Sequence, residues 1–557
     1  MIRPPKQLAK AVALEHRLAS IIGLQERDGV WLDEALANDT VKEINEKADE
    51  IEKELEPMLP MQIEMMDTKV KGEQFTHGVK RWSTTKGLSK TTKEWFDPNK
   101  DVVVKERGQK RKDGTKAKRT YVFPPFPYDA EDIVEGPYCR VGWFKLELTS
   151  AGQVSDFLLK EGWVPTEYNV KKVTKNESKD PASPYYGQVV GKTARNDKGE
   201  EIFTSPKLTE DSFDTIKGDT GKLIVTHRSL LARKKFISGM LRSVRDDGRI
   251  SQGAVTVGAV TTRVQHRTIV NTPRASSFYG KPCRAIFYAE YPYFNFGADL
   301  SGLEDRMKAH YTYNYPGGKE YAQKILDPDF SVHEENMALW NVDKETAKPG
   351  AYALSYNCGP PKLAKTLGVS LEVGQKYFDA YWEKNMPLKL FNDEVVELFK
   401  ARKAVHGKGY VVGIDGRLLF PRSPHSASNT LFQSAGNIVA KTAVCLMHGW
   451  KLKHNLDGWQ WSFNHDEYQW CVHEQHIEGF YEFDDEEEAI EFWKANNTPM
   501  KSYRFSKPSP VDGKFWVIES PVCDAMIKAF LLAGRRHKIR VPTTGECMVG
   551  RNWSHCH

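Results

Sequence analysis

Eight cysteines occur in this 557-residue chain, yet no two stand in a CxxC spacing. Cys139, Cys283, Cys358, Cys445, Cys471, Cys523, Cys547 and Cys556 are scattered. That scatter reads as reduced thiols in a cytosolic protein rather than as a structural zinc site. Runs of about 18 apolar residues are missing, so no membrane span is expected. The opening Met1-Ile2-Arg3-Pro4-Pro5-Lys6 provides no apolar signal core. A strong charge imbalance is missing too: 80 Lys and Arg against 74 Asp and Glu leave +6. Any polyanion-binding surface must therefore be concentrated locally. Internal repeats are also lacking. The expected compartment is the cytoplasm.

What is present points to large folded cores, with 14 Trp and 40% hydrophobic residues. The length calls for several domains, because single cores rarely grow past roughly 250–300 residues. Residues 6–57 read as helices. Val41, Ile44, Ala48, Ile51 and Leu55 form one apolar stripe, Asn38, Asp39 and Thr40 offer a cap, and Pro57 marks the end. Helical periodicity fades over 65–147 and leaves a long stretch without a structural pattern. Lys105, Arg107, Lys110, Arg111, Lys112, Lys116 and Lys118 crowd part of it, diluted by Asp101, Glu106 and Asp113. The run reads either as a solvated loop or as a flexible arm that tracks phosphates. Gly187 to Thr193 resembles a phosphate-binding loop but has three residues between its glycines where four are needed, so no nucleotide site is assigned there. Beyond residue 244, strands read over Ala285–Asp299, a helix over Ser301–Tyr313, helices to about 405, strands from 410, a helix over Asn429–Met447, and strands around Asp466. Interleaving of this kind gives an α+β fold.

Two acidic segments carry the chemistry. In the first, Phe294, Phe296 and Ala298 alternate as a half-buried strand requires, and Asp299 ends it. Such a carboxylate is costly unless it is paired or metal-bound. Ser301 and Glu304 have the spacing of a capping box, which is the structural alternative to a functional Glu304. In the second segment Trp459, Trp461, Phe463 and His465 share one parity, and Asp466-Glu467 interrupts an apolar hairpin. Magnesium suits such acids, because it takes a few carboxylates plus substrate phosphates. A third segment places Lys344, Lys348, Tyr352 and Tyr356 four residues apart. On a helix they form a stripe, cationic at one end and aromatic at the other. Alone the stripe reads as a surface helix with its tyrosines turned to the core; beside the two aspartates it suits a nucleoside triphosphate, with the lysines on the phosphates and a tyrosine on the base.

Together these segments resemble the A, B and C motifs of family A DNA polymerases, the DNA polymerase I type, and are most like the replicative enzymes of T-seven-like bacteriophages. Further matches are Glu15-His16-Arg17, Gln25-Glu26-Arg27, Gly162 to Thr166, Thr262 to His266, Tyr279-Gly280, Cys283-Arg284, Asp415-Gly416-Arg417, Arg422 to His425, Asn429 to Gly436 and Asn552 to His557. The resemblance implies a right-hand polymerase: thumb at 1–243 with a basic insertion at 65–147, palm at 244–307 and 409–557, fingers at 308–408. It implies an enzyme that extends a primer 3′-hydroxyl with dNTPs on template DNA in phage replication. Single-subunit RNA polymerases and an inactive DNA-binding subunit are the alternatives. Glu304 argues against the first, and the intact Asp299, Asp466 and Lys348 against the second.

By the same resemblance Asp299, Asp466 and the Leu300 carbonyl bind two magnesium ions, with Glu467 supporting rather than ligating. Lys348, Lys344 and His333 meet the triphosphate, with lysine at 344 where the family usually has arginine. Tyr352 packs on sugar and base, Glu304 crowds the ribose 2′ position, and Tyr356 stacks near the template base. Arg263, Asn429 and Gln433 read the minor groove, and His465 touches the primer terminus. Pro349-Gly350 departs from the pattern, so the helix is expected either to begin near Lys344 or to kink. The insertion lies where relatives recruit thioredoxin, which implies a thioredoxin-like processivity partner. The chain begins almost at the thumb, so a proofreading exonuclease is expected on a separate subunit.

Overall fold

The structure is a computed structural model and describes residues 6–65, 102–110, 116–122, 141–165, 167–196, 201–216, 218–327, 330–355, 358–496, 503–505 and 513–556. The chain divides into two compact units, one of residues 1–41 with 235–557 and one of 42–234. This division cuts across the expected 1–243 segment.

The larger unit opens with helix α1 (Lys6–Asp28) and the start of α2 (Glu34–Leu55). Asp33 starts α2, its carboxylate accepting from the Leu36 N–H at 2.9 Å, so the helix begins well before the expected cap at residues 38–40. Within the stripe, Ile44, Ala48 and Leu55 are buried as anticipated.

The centre of this unit is a four-stranded antiparallel sheet. Its strands are β1 (Tyr293–Leu300), β2 (Gly458–Asn464), β3 (Glu467–His473) and β4 (Gly545–Gly550), in the order β2-β3-β1-β4. Phe296, Trp470 and Val472 are fully buried, so the interior strands β1 and β3 carry little solvent-facing surface. The single parity expected for Trp459, Trp461, Phe463 and His465 along β2 does not hold throughout. A bulge between Gln460 and Ser462 shifts the register against β3, and Gln460, Trp461 and Ser462 are all buried.

The expected site residues outside the sheet lie largely on helices α3 (Leu303–Thr312), α4 (Val332–Trp340), α5 (Lys344–Ser355) and α6 (Ala427–His454), of which α3 packs against α6 and α4 against α5. Helix α6 is buried along most of its length, and Ala435, Ile438, Val439 and Ala443 are closed to solvent. It is a core helix rather than an amphipathic surface one. The cap expected at Ser301 is not made. Gly302, left-handed at φ 56°, takes the N-cap position of α3 with no side-chain cap.

Helix α5 begins at Lys344, as one of the two expected alternatives requires. Asp343 caps it, accepting from the Thr346 N–H at 2.7 Å. Pro349 is therefore inside the helix, beyond the first turn. Gly350 has a packing reason: a Cβ there would lie 2.7 Å from Leu367 and 2.9 Å from Trp340.

In the smaller unit Leu55, Leu146, Val154, Leu158, Trp163, Ile216 and Ile224 form a core. Trp163 Nε1 donates to Ser212 Oγ at 2.9 Å. The 65–147 stretch is not without structure. Strands Met61–Met65, Val141–Lys145, Lys116–Val122 and Val102–Lys110 pair antiparallel in that order. Lys105 stands opposite Arg119 and Glu106 opposite Lys118. Arg111 and Lys112 lie outside the described residues. Gly187 to Thr193 shows turns and an isolated bridge rather than a strand-to-helix turn.

Candidate active site

Asp299 is the penultimate residue of β1 and stands in register between Glu467 of β3 and Glu546 of β4. His465 and Asp466 form the tip joining β2 to β3, with His465 in the left-handed region at φ 63°. The Leu300 N–H donates to the Asp466 carbonyl at 3.2 Å, which ties that tip to the end of β1. Residues 167 positions apart in sequence thus become neighbours because two strands end side by side.

Burial, then the charges of Asp466 and Glu467, push the Asp299 carboxyl up to about 7. Burial also raises Asp466; Glu467 adds to that and the Arg263 charge opposes it. Oδ1 of Asp299 is buried without a hydrogen-bond partner. Glu467 is engaged instead: its Oε1 accepts from Trp553 Nε1 at 2.6 Å and from Gln469 Nε2 at 2.5 Å. Neither aspartate forms an ion pair among the described residues, nor do three or more His, Cys, Asp or Glu gather there to make a metal cage. Two crowded aspartates with an orphaned buried oxygen, followed by the Leu300 carbonyl, nevertheless suit a hard cation that completes its shell with other oxygens.

A cleft adjoins the hairpin tip. Arg263, Glu304, Gln433, His465 and Asp466 line it together, over Leu303 and Phe432. Helix packing explains the meeting of Glu304 with Gln433, since Gly436 on α6 leaves room for Leu303 on α3, whose side chain would lie 3.0 Å from a Cβ there. Glu304 and Asp305 approach Lys308 Nζ at 3.4 and 2.9 Å. Burial alone would lower the Lys308 ammonium, but these two acids outweigh it and hold it above its ordinary range. His465 meets the half-buried ring of His266 edge-on, with centroids 5.4 Å apart.

Asn429, Lys348 and His333 are not among the described residues that line this cleft. Asn429 is buried on the first turn of α6, one turn before Gln433. Lys344, Lys348 and Tyr352 lie on α5 and His333 on the first turn of α4. Tyr356 is outside the described residues.

Sequence reading missed Asn437, which also lines the cleft, and the fully buried Lys441 on α6. Lys441 Nζ reaches Glu15 at 2.8 and 3.0 Å and the Thr256 carbonyl at 2.7 Å, and Arg417 reaches the same Glu15 at 2.7 Å. The signal was a lone lysine within the apolar stretch Ile438 to Val444, since a cation there demands a buried anion.

The family model for DNA polymerase family A matches residues 187–489, more than half of the chain, and that span includes Arg263, Asp299, Gln433 and Asp466. The DNA-directed DNA polymerase of Escherichia phage T7 is 26% identical over 471 residues, covering 79% of this chain and 61% of the relative. The corresponding enzyme of Enterobacteria phage T3 gives the same figures. That of Escherichia phage Phieco32 is 25% identical over 316 residues, covering 42% of this chain and 50% of the relative. The chain thus spans 61% of the length of the first two relatives. Among solved structures, the POL domain of Pol1 from M. smegmatis, in complex with DNA primer-template and dNTP, shares the fold. Its TM-score is 0.55 at 15% identity, over 97% of this chain and 70% of that one. On the match across residues 187–489, the chain belongs to DNA polymerase family A.

Proposed function

We propose that the chain extends a DNA primer on a template with deoxynucleoside triphosphates, in bacteriophage DNA replication. The observation that carries this reading is the Asp299–Asp466 pair, with an orphaned buried oxygen on Asp299, beside a cleft that also presents Arg263, Glu304 and Gln433. In this reading residues 244–307 and 409–557 are the palm, 308–408 the fingers and 1–243 the thumb.

Asp299, Asp466 and the Leu300 carbonyl would hold two magnesium ions. When bound, these supply charge neutralisation at the attacking and leaving oxygens of an in-line phosphoryl displacement. The chain's own contribution is to keep two carboxylates close together and partly dry, so that their charge is available to a cation rather than spent on an internal partner. Glu467, held by Trp553 and Gln469, steadies the strand end without competing as a ligand. Arg263 and Gln433 donate to minor-groove acceptors, which are nearly the same for every base pair and so test pair geometry without reading sequence. Asn429 extends that surface along α6, and His465 meets the primer terminus. Glu304 fills the space a 2′-hydroxyl would need. Lys348, Lys344 and His333 bind the triphosphate, Lys348 offering its proton-bearing ammonium to the departing pyrophosphate. Tyr352 packs on the incoming nucleotide and Tyr356 on the template base. The 65–147 insertion receives a thioredoxin-like processivity partner.

The test is primer extension by the purified chain with dNTPs and, separately, rNTPs. Extension with dNTPs alone is expected, with Asp466→Asn inactive yet still binding primer-template. Efficient extension with rNTPs would favour an RNA polymerase, and no extension by the parent chain would favour a non-catalytic DNA-binding subunit.

A further inference from the structure

Thr262 is a β-branched residue held at φ 62°, a region such side chains rarely enter. Conformations of this kind persist only where the surroundings over-determine them. Here they do. The Thr262 N–H donates to the Ala259 carbonyl at 2.8 Å, and the next carbonyl, that of Arg263, accepts from the Gly258 N–H at 3.1 Å. The Thr262 carbonyl accepts from Asn437 Nδ2, which also lies 3.4 Å from Thr262 Oγ1. Thr262 Oγ1 is in turn 3.4 Å from Ser434 Oγ. All three side chains are buried, at 5% exposure for Thr262, 4% for Asn437 and none for Ser434. Because its Nδ2 faces a carbonyl, the orientation of the Asn437 amide is fixed.

Asn437 stands one turn beyond Gln433 on the same face of α6. Arg263, immediately after Thr262, lines the cleft with Gln433 and Asp466, and its charge acts on both Asp466 and His465. One helix therefore carries a cleft donor, Gln433, and also grips the backbone from which the second donor, Arg263, projects.

We propose that Asn437 is a positioning residue that locks the left-handed backbone at Thr262 and so aims Arg263 into the cleft at a fixed spacing from Gln433. The spacing serves the paired minor-groove contacts, so this role rests on the polymerase reading given above. A rigid pair of donors is sensitive to a misshapen base pair, whereas a loosely held arginine would follow it.

A set of variants separates this role from packing and from direct contact with DNA. Asn437→Ala is expected to weaken primer-template binding about tenfold, the equivalent of one lost positioned contact. Thr262→Gly in that background is expected to restore most of the affinity, because glycine takes the left-handed conformation without a clamp. In an Arg263→Ala background, Asn437→Ala is expected to add nothing. A tenfold loss that persists without Arg263 would mean direct contact and overturn the proposal, as would failure of Thr262→Gly to rescue. Thermal unfolding reads the same clamp without DNA: Thr262→Gly should raise the unfolding temperature of Asn437→Ala more than that of the parent, and equal shifts would contradict the clamp. Should the parent bind no primer-template, the polymerase reading fails, while the unfolding comparison still decides whether Asn437 holds Thr262.

Discussion

Glu15 and Asp299 are both carboxylates withdrawn from water within the larger unit, and their surroundings are opposite. Glu15 receives the Lys441 ammonium at 2.8 and 3.0 Å and the Arg417 guanidinium at 2.7 Å, while Arg417 also binds Asp415. Asp299 has Glu467 and Glu546 beside it in register, Asp466 at the adjoining tip, and an oxygen with no partner. Compensating a buried acid is therefore within this fold's means. Around Glu15 the compensation joins α1 to α6 and holds the helix that bears Gln433. At the end of β1 neither Asp299 nor Asp466 has an ion-pair partner among the described residues, which costs stability and leaves the site proposed above to take a divalent cation. The difference teaches which acids build the protein and which ones work.

The comparison can be broken in several ways. The largest effect is expected from Asp466→Asn, which should lower primer extension by 1,000-fold or more, about 4 kcal/mol of transition-state stabilisation, with primer-template affinity within about twofold of the parent. Extension near the parent rate would remove the metal assignment.

Next in size is Glu15→Gln. Removing that charge leaves Lys441 buried against no anion, and denaturant unfolding should show a loss of about 3–5 kcal/mol. An unchanged midpoint would mean that the Glu15 cluster is not structural.

A smaller effect of opposite sign is expected from Asp299→Asn in chelator, where the unfolding temperature should rise by a few degrees, roughly what 1 kcal/mol shifts a domain of this size. The sign follows from proton linkage. Asp299 holds its proton up to about 7 in the folded chain, whereas an unfolded aspartate releases it near about 3.9. Across that window the folded state binds the extra proton, so this residue's contribution to stability falls as pH rises from about 4 to about 7 and is level above. The parent should show that slope in metal-free buffer, and Asp299→Asn should lack it.

The mildest effect concerns magnesium itself. Protons compete for the same carboxylates, so apparent affinity should tighten as pH rises toward about 7 and then flatten. Calorimetric titration across that range checks it, and an affinity independent of pH would argue that the cation binds elsewhere.

Asp299 and Asp466 were legible because strands have a two-residue period, so acids ending alternating apolar runs stand out. Gln433, Glu304 and Arg263 were reachable only through resemblance, since nothing in a lone helix sequence says which turn faces a cleft. Strands Val102–Lys110 and Lys116–Val122 were not legible, because their lysine-rich sequences lack apolar alternation and the pairing comes from the partner strand. The Glu15–Lys441 contact joins residues 426 positions apart. The left-handed backbone at Thr262 depends on Asn437, a neighbour that only folding supplies.

The central claim is that Asp299 and Asp466 form an uncompensated pair awaiting a divalent cation. Thermal unfolding of the parent and of Asp299→Asn across a magnesium titration tests it most directly. The account predicts that the parent begins less stable than the variant and gains stability with magnesium, while the variant gains little. A parent that starts more stable than Asp299→Asn and does not respond to magnesium would contradict it.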